Sequence, residues 1–117
     1  MSYNIGFYIK VDGADEYWLI GRPEFDSPTY NLREMFVKCM DWNYNQNEYY
    51  NCEYIVMPSV ILGLEDLENK PYEYHKYNAP NGWGVVENAV ATLRSMQNTL
   101  EEISERIPLK YVWMRWG

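Results

Sequence analysis

The strongest constraint in this sequence is that strand-like segments lie at both ends of the chain, whereas the middle carries the period of helices. Between residues 4 and 11, apolar side chains occupy every second position, which is typical of a strand with one buried face. A turn follows at Asp12 and Gly13, and residues 16–22 predict a second strand, so this part forms a hairpin. Residues 110–116 predict a third strand. We expect this closing strand to pair beside the first.

The segment between the strands carries the period of a helix in three places. The predicted helices cover residues 30 to about 40, 53–69 and 85–107. Pro58 conflicts with a continuous second helix, because a proline inside a helix removes a hydrogen bond and clashes with the preceding turn. The regular helix therefore either begins near Pro58 or kinks there, and residues 53–57 as an extended strand are the alternative.

The second helix is predicted to bury a stripe of apolar side chains. By helical spacing its core-facing residues are Val56, Val60, Leu64 and Leu67. The adjacent pair Ile61 and Leu62 widens this stripe. Gly63, in the middle of the helix, allows another backbone to approach closely, at a cost of about 1 kcal/mol relative to alanine.

Three further segments connect these elements. Residues 41–51, rich in asparagine and aromatic residues, predict a loop, residues 71–77 a short helical turn, and residues 78–84 a tight loop. Strands at both ends with helices between them predict one α+β domain over residues 1–117. Its small antiparallel sheet, the N-terminal hairpin plus the C-terminal strand, packs against three to four helices. The other sheet face carries aromatic side chains, which favours a homo-oligomer or a bound ligand.

The formal net charge of −7 excludes several classes of partner. Ten basic residues against 17 acidic ones leave no basic footprint for direct nucleic-acid binding. An anionic membrane surface would repel the chain, whereas a basic protein surface would attract it. The sequence contains no apolar run of membrane-spanning length and no signal-peptide pattern at Met1–Ile5. We therefore expect a cytoplasmic protein whose partner is a small ligand or a basic host protein.

Patterns for catalysis and metal binding are missing from the sequence. His75 is the single histidine, and it lies in a polar segment that is predicted to be exposed, with no nucleophile placed beside it. Cys39 and Cys52 are predicted to be reduced thiols, because the chain shows no export signal. The scattered carboxylates do not have the spacing of metal ligands. We predict no enzyme activity, no metal and no cofactor.

Two short polar elements are the candidates for a ligand site. In the first, Thr29 and Asn31 present a hydroxyl and a carboxamide together, with Arg33 nearby to hold an anionic group. The structural interpretation is that Thr29 or Asn31 caps the first helix.

The second element is the loop that contains Asn78, Asn81, Gly82 and Trp83. As a site, it offers two carboxamides, free amides at a helix N-terminus and an indole on which a ring can stack. As a scaffold, its Asn-Gly step supplies a turn with positive φ, and the Trp83 side chain packs into the core. Both interpretations remain open.

Tyrosines form a third candidate group, this time for an interaction surface. The residues are Tyr44, Tyr49, Tyr50, Tyr72, Tyr74 and Tyr77. Tyrosine gives much contact area at a low entropy cost, so the group fits a stacking or protein-contact surface. The structural alternative is an amphipathic rim around the core.

The two polar elements resemble motifs of a widespread group of small bacterial and phage proteins without an assigned reaction. Thr29, Asn31 and Met35 match a T-x-N…M element. Residues 58–84 match the spacing P-x4-G-x3-L-x3-P-x2-Y-x3-N-x2-NGWG. The resemblance covers roughly residues 26–107.

The resemblance implies a shared fold and one framework for the two elements, but no reaction. The residues that it groups, in one framework or pocket, are Thr29, Asn31, Asn78, Asn81, Gly82 and Trp83. The inserted aromatic loop 41–50 and the strong hairpin before Thr29 depart from the group's pattern, which loosens the transfer of a ligand.

Two functional hypotheses follow. The first is a non-enzymatic phage or prophage protein, anti-defence in role, that sequesters a small nucleotide-like ligand. Trp83 and the tyrosines would stack the base, the three asparagines would bond its edges, and Arg33, with Arg94 or Arg115, would hold phosphates.

The second is an acidic protein-directed inhibitor, such as a DNA mimic, an anti-CRISPR-like protein or a toxin-immunity protein, that blocks a basic effector surface. The negative charge favours the second hypothesis, and the carboxamide-rich loop favours the first.

Overall fold

The computed structural model describes residues 4–11, 15–24, 30–78 and 85–117, and for residues 30 and 31 it describes the backbone alone. Within these ranges a four-stranded antiparallel sheet packs against helices. The predicted α+β fold is therefore confirmed.

The sheet brings the two ends of the chain together. Its strands are β1 (Ile5–Lys10), β2 (Tyr17–Gly21), β3 (Tyr49–Asn51) and β4 (Val112–Trp116). Their order across the sheet is β2-β1-β4-β3, and every neighbouring pair is antiparallel. The N-terminal hairpin and the pairing of the closing strand beside the first are both confirmed.

The prediction of a loop up to residue 51 is wrong at its end, because residues 49–51 form β3. These residues pair with residues 113–115 of β4. A strand of three residues is too short to show alternation, and it forms because β4 offers a free edge. The third predicted strand begins at Val112 rather than at residue 110, because Leu109–Tyr111 is a 3-10 turn.

Three α-helices lie on one side of the sheet, α1 (Tyr30–Met40), α2 (Met57–Asn69) and α3 (Val86–Ser104). Pro58 stands in the first turn of α2, where a missing N–H leaves no intrahelical bond unmade. The residues before it, Cys52–Val56, form a π-helix, so the extended alternative for this segment is wrong.

The predicted core stripe of α2 is correct, but its predicted widening is wrong. Val56, Val60 and Leu67 are buried, whereas Ile61 and Leu62 are 42% and 46% exposed. Successive residues of a helix turn by about 100°, so this pair points away from the stripe that faces the core.

At Gly63, side chains of α1 and α3 pack against the backbone of α2. A Cβ atom there would lie 2.8 Å from Met40 Cγ on α1 and 3.0 Å from Leu93 Cδ1 on α3. The nearest atoms belong to side chains, so the close approach expected at Gly63 is one of neighbouring side chains and not of another backbone.

Candidate functional site

Arg33, proposed to hold an anionic group, is bound to the chain itself. Its Nη1 and Nη2 atoms both donate to the carbonyl of Tyr44 at 3.1 Å, and Nη2 also donates to Asn43 Oδ1 at 3.5 Å. The guanidinium group lies over the Tyr44 ring, 4.7 Å from its centroid. Arg33 therefore fastens the segment after α1 to that helix.

Asn78 acts as a cap for α3. Its Oδ1 atom accepts the backbone N–H of Val86 at 3.1 Å, and Asn88 Oδ1 accepts the N–H of Val85. The first N–H groups of a helix have no partner within the helix, so both bonds stabilise the start of α3.

The other members of the predicted pocket cannot be placed in it. Thr29, Asn81, Gly82 and Trp83 lie outside the described residues, and Asn31 is described only as backbone in α1. The nucleotide pocket stays a prediction, and its two described members, Arg33 and Asn78, have structural partners.

The predicted tyrosine surface is wrong for two of its members. Tyr44 is buried because its ring stacks on Trp116 at 4.3 Å, and Tyr74 is buried with its hydroxyl donating to Asp66. Tyr49 and Tyr50 are half-buried, and Tyr72 is 69% exposed.

The face of the sheet turned away from the helices carries its own aromatic layer. Tyr17 on β2 and Tyr49 on β3 belong to opposite edges of the sheet, yet their rings stack at 3.6 Å with an interplanar angle of 7°. Tyr8 meets Tyr49 edge-on at 5.3 Å, and Trp113 meets Tyr17 edge-on at 6.2 Å. The expected aromatic face exists, but its rings largely cover one another.

Most cationic side chains are engaged with aromatic rings of the chain itself. The pairs are Lys10 with Tyr17, Arg33 with Tyr44, Lys38 with Tyr74 and Tyr77, Lys76 with Tyr77, Lys110 with Tyr111, and Arg115 with Tyr49. Six of the ten cations take part. A cation over a ring keeps its charge, and one of the six, Lys10, also forms an ion pair with Asp15.

Most carboxylates in the described part of the chain have no ion-pair partner. Within the described ranges, ion pairs reach only Asp15, Asp66 and Glu68. The exposed residues 101, 102 and 105, all glutamates, stand at the C-terminal end of α3, whose last turn has no basic residue. Because the C-terminal end of a helix dipole disfavours negative charge, these three glutamates form a negative region that the helix itself does not compensate, although Glu102 and Glu105 share a groove with Arg22 and Arg106.

A second exposed feature lies on the outer side of α2 and the π-helix. We call it the α2 stripe, and it consists of Tyr54, Ile55, Pro58, Ile61 and Leu62. All five residues are exposed, and Tyr54 is the most exposed large apolar residue in the described part of the chain, at 70%. The stripe is bounded along the sequence by the exposed Glu53 and Glu65.

A groove of about 1020 Å³ lies between β2 and α3. Ile20, Ile103 and Ile107 supply apolar lining. The charged residues that line it are Arg22, Arg94, Arg106, Glu24, Glu102 and Glu105. With three residues of each sign, the groove is formally neutral in a chain of charge −7.

The thiols are poorly suited to nucleophilic chemistry. Burial, with a smaller effect of the negative charge on Asp66, raises the pKa of Cys39 to about 12. Burial also raises the pKa of Cys52, and both cysteines are free. Both side chains therefore stay protonated at neutral pH. His75 is exposed, as predicted.

The described ranges contain neither a cluster of metal-binding side chains nor a membrane-spanning helix. No group of three or more His, Cys, Asp or Glu side chains there has the geometry to hold a metal ion. Every helix in those ranges is too short or too polar to cross a lipid bilayer.

Comparison with known proteins gives no match to any protein family, to any curated protein or to any solved structure. The resemblance to small bacterial and phage proteins therefore stays a prediction. The functional argument rests on the geometry of the described residues.

The α2 stripe is the feature that sequence reasoning missed. Its signal was present, because Tyr54, Pro58 and Leu62 recur every four residues. Helical period alone does not tell which of two apolar faces is buried, so Ile61 and Leu62 were assigned to the core.

Proposed function

We propose that this protein is a non-catalytic binding protein that directs an acidic surface at a basic partner protein. The observation that supports this proposal most is how few of the described cationic side chains form ion pairs with carboxylates. Within the described ranges only Lys10, Lys70 and Arg94 form ion pairs, with Asp15, Asp66 and Glu68, so most of the other carboxylates there lack an ion-pair partner.

The negative region at the end of α3 is the center of this surface. The negative charges at residues 101, 102 and 105 repel one another. The C-terminal end of the helix dipole is also negative, so it repels each of them as well. A cationic partner would relieve both effects. Long-range attraction would also raise the association rate and make it fall with ionic strength.

An inhibitory role fits this chemistry. A surface of carboxylates can cover the nucleic-acid-binding face of an effector, because such faces are built from lysine and arginine to neutralise phosphates.

The test is a pair of variants with equal net charge. Glu101→Lys, Glu102→Lys and Glu105→Lys together change the net charge from −7 to −1, and so do Glu16→Lys, Glu34→Lys and Glu73→Lys at other exposed positions. Immobilised wild type and both triple variants are incubated with lysate of the source organism. Bound proteins are eluted with rising NaCl and identified by mass spectrometry.

We expect the wild type to retain proteins of high isoelectric point that elute as salt increases. The α3 variant should lose them, and the control variant should retain them more weakly than wild type. Equal retention by the α3 variant and the control would contradict a surface centred on α3. Retention of neutral or acidic proteins alone would contradict the proposed function.

The groove between β2 and α3 supports a second candidate, the nucleotide-like ligand. Three arginines line it, and a volume of about 1020 Å³ exceeds what such a ligand needs. Arg94 is paired with Glu68, which leaves Arg22 and Arg106 as the better phosphate contacts.

Native mass spectrometry of protein isolated from its source tests this candidate. We expect a retained mass of a few hundred daltons that is absent from the Arg22→Gln, Arg106→Gln variant. The Trp83→Ala, Asn31→Ala variant separates the groove from the predicted pocket. Protein that carries no small molecule would count against both sites.

A further inference from the structure

We propose that the α2 stripe is the docking site for a basic amphipathic helix of the partner protein. This inference rests on the proposed function, and it names the chemistry of the contact: apolar anchors on the stripe, with lysine or arginine at both ends.

The fold does not need the stripe to be apolar. The opposite face of α2 already supplies the core with Val60, Leu64 and Leu67. Polar residues at 61 and 62 would satisfy the helix equally well, because intrinsic helix propensity does not favour isoleucine over glutamine or lysine. An apolar set rimmed by charges is the usual mark of a protein contact.

The π-helix widens the exposed set. Residues 53–55 are exposed at three consecutive positions, which brings Tyr54 and Ile55 out together. The side chain of Asn51 holds this turn in place: Oδ1 accepts the N–H groups of Glu53 and Tyr54, and Nδ2 donates to the carbonyl of Lys110 at 2.9 Å. The stripe is thus preorganised, which lowers the entropy cost of binding.

Charge decides between a foreign partner and a second copy of the chain. No lysine or arginine occurs from residue 39 to residue 69, whereas the π-helix and α2 contain four carboxylates, of which Asp66 and Glu68 pair with Lys70 and Arg94. Glu53 and Glu65 border the stripe, so two stripes packed against each other would bring carboxylates together. A segment with lysine or arginine on either side of its apolar residues complements the stripe instead.

A helix is the partner shape that fits best. From Tyr54 to Leu62 the stripe spans about 12 Å, roughly two turns. Apolar side chains at i, i+3, i+4 and i+7 of a partner helix cover such a length and interdigitate with the stripe.

The experiment uses two synthetic helical peptides as probes. Both are 18-residue, fluorescein-labelled sequences with leucines at i, i+3, i+4 and i+7, and the remaining positions are mainly lysine in one and mainly glutamate in the other. Binding to the full chain is followed by fluorescence anisotropy. The test variant is Ile61→Gln, Leu62→Gln, and the matched control is Trp18→Gln, Leu19→Gln. The exposures match closely, with Leu62 at 46% and Leu19 at 47%.

We expect the lysine peptide to bind and the glutamate peptide not to bind. The stripe variant should weaken binding of the lysine peptide about tenfold or more, and the control variant should leave it within about twofold. Equal weakening by both variants, or none, would overturn the docking site. So would a wild-type dimer in analytical ultracentrifugation that the stripe variant dissociates, because the occupant is then a second copy.

The same peptides separate failure of this inference from failure of the proposed function. If the lysine peptide binds the stripe variant normally but is lost on the Glu101→Lys, Glu102→Lys, Glu105→Lys variant, the docking site is wrong and the acidic surface stands. If neither variant affects the lysine peptide and the lysate yields no basic protein, both are wrong.

Discussion

The two faces of the sheet carry the same kinds of side chain and use them differently. On the helix side, Trp116 is fully buried, stacked on Tyr44 and 5.3 Å from Phe36. On the other side, Tyr17 and Tyr49 stack just as closely but remain half-buried, and the described residues form no second layer over them.

The difference shows what a high aromatic content does in a small domain. The inner rings fill the core. The outer rings close a sheet that has helices on one side only, and they do so by packing across its full width. An exposed aromatic face therefore need not be a binding face, whereas the α2 stripe, whose side chains have no such mutual cover, is the better candidate.

The largest expected effect is on the inner layer. Trp116→Ala should lower the free energy of unfolding by about 3–5 kcal/mol, because it empties a large volume beside Tyr44 and Phe36. Trp18→Ala is the control, since Trp18 is 58% exposed, and it should cost less than about 1 kcal/mol. Urea unfolding followed by circular dichroism measures both. Similar losses would mean that the full burial of Trp116 contributes no more to stability than an exposed tryptophan does.

The sequence was sufficient for the architecture because its periodic segments are long. The alternation over residues 4–11 and the helical spacing in α1 and α3 each repeat often enough to identify the element. It was insufficient where the outcome depends on a distant partner. β3 exists only beside β4, and Tyr44 is buried only because Trp116 and Arg33 meet it.

The candidate site was less predictable for the same reason. Arg33 and Asn78 were chosen for the chemistry of their side chains, and that chemistry serves the Tyr44 carbonyl and the start of α3 equally well. A sequence shows which hydrogen-bonding groups a side chain carries. Only the fold determines whether a backbone atom of the same chain already binds those groups.

The next prediction tests whether water is excluded from the helix side of the sheet, and it uses the buried thiol of Cys39. Its pKa is about 12 in the folded state against 9.0 for an exposed thiol, so the unfolded state releases its proton first. Stability should therefore fall as pH rises from about 9 to 12, by at most about 1.4 kcal/mol per pH unit. Unfolding of wild type and Cys39→Ala should differ in slope over this range. Parallel profiles would show that the thiol titrates as if exposed.

A smaller effect is expected from substituting two glycines, Gly63 in α2 and Gly6 in β1. Gly63→Ala gains about 1 kcal/mol of helix propensity but places Cβ 2.8 Å from Met40 Cγ, and overpacking costs about 1–3 kcal/mol, so we expect a net loss near 1 kcal/mol. Gly6→Ala meets the Tyr8 ring at the same 2.8 Å. That ring lies on the open face and can turn aside, so this change should cost less. Thermal unfolding ranks the two variants, and the reverse order would contradict the packing described here.

The smallest effect concerns the stack between Tyr17 and Tyr49. Tyr17→Ala, Tyr49→Ala and the double variant form a cycle, and we expect a coupling of about 0.5–1.5 kcal/mol because the rings stack directly. Tyr17 with Tyr72, on unconnected parts of the surface, is the control and should be additive. Repeating the cycle at different protein concentrations adds a second test, because the midpoint of a monomer does not depend on concentration. A coupling that grows with concentration would mean that the outer layer is completed by another copy, as the sequence-based expectation of a homo-oligomer at this face of the sheet requires.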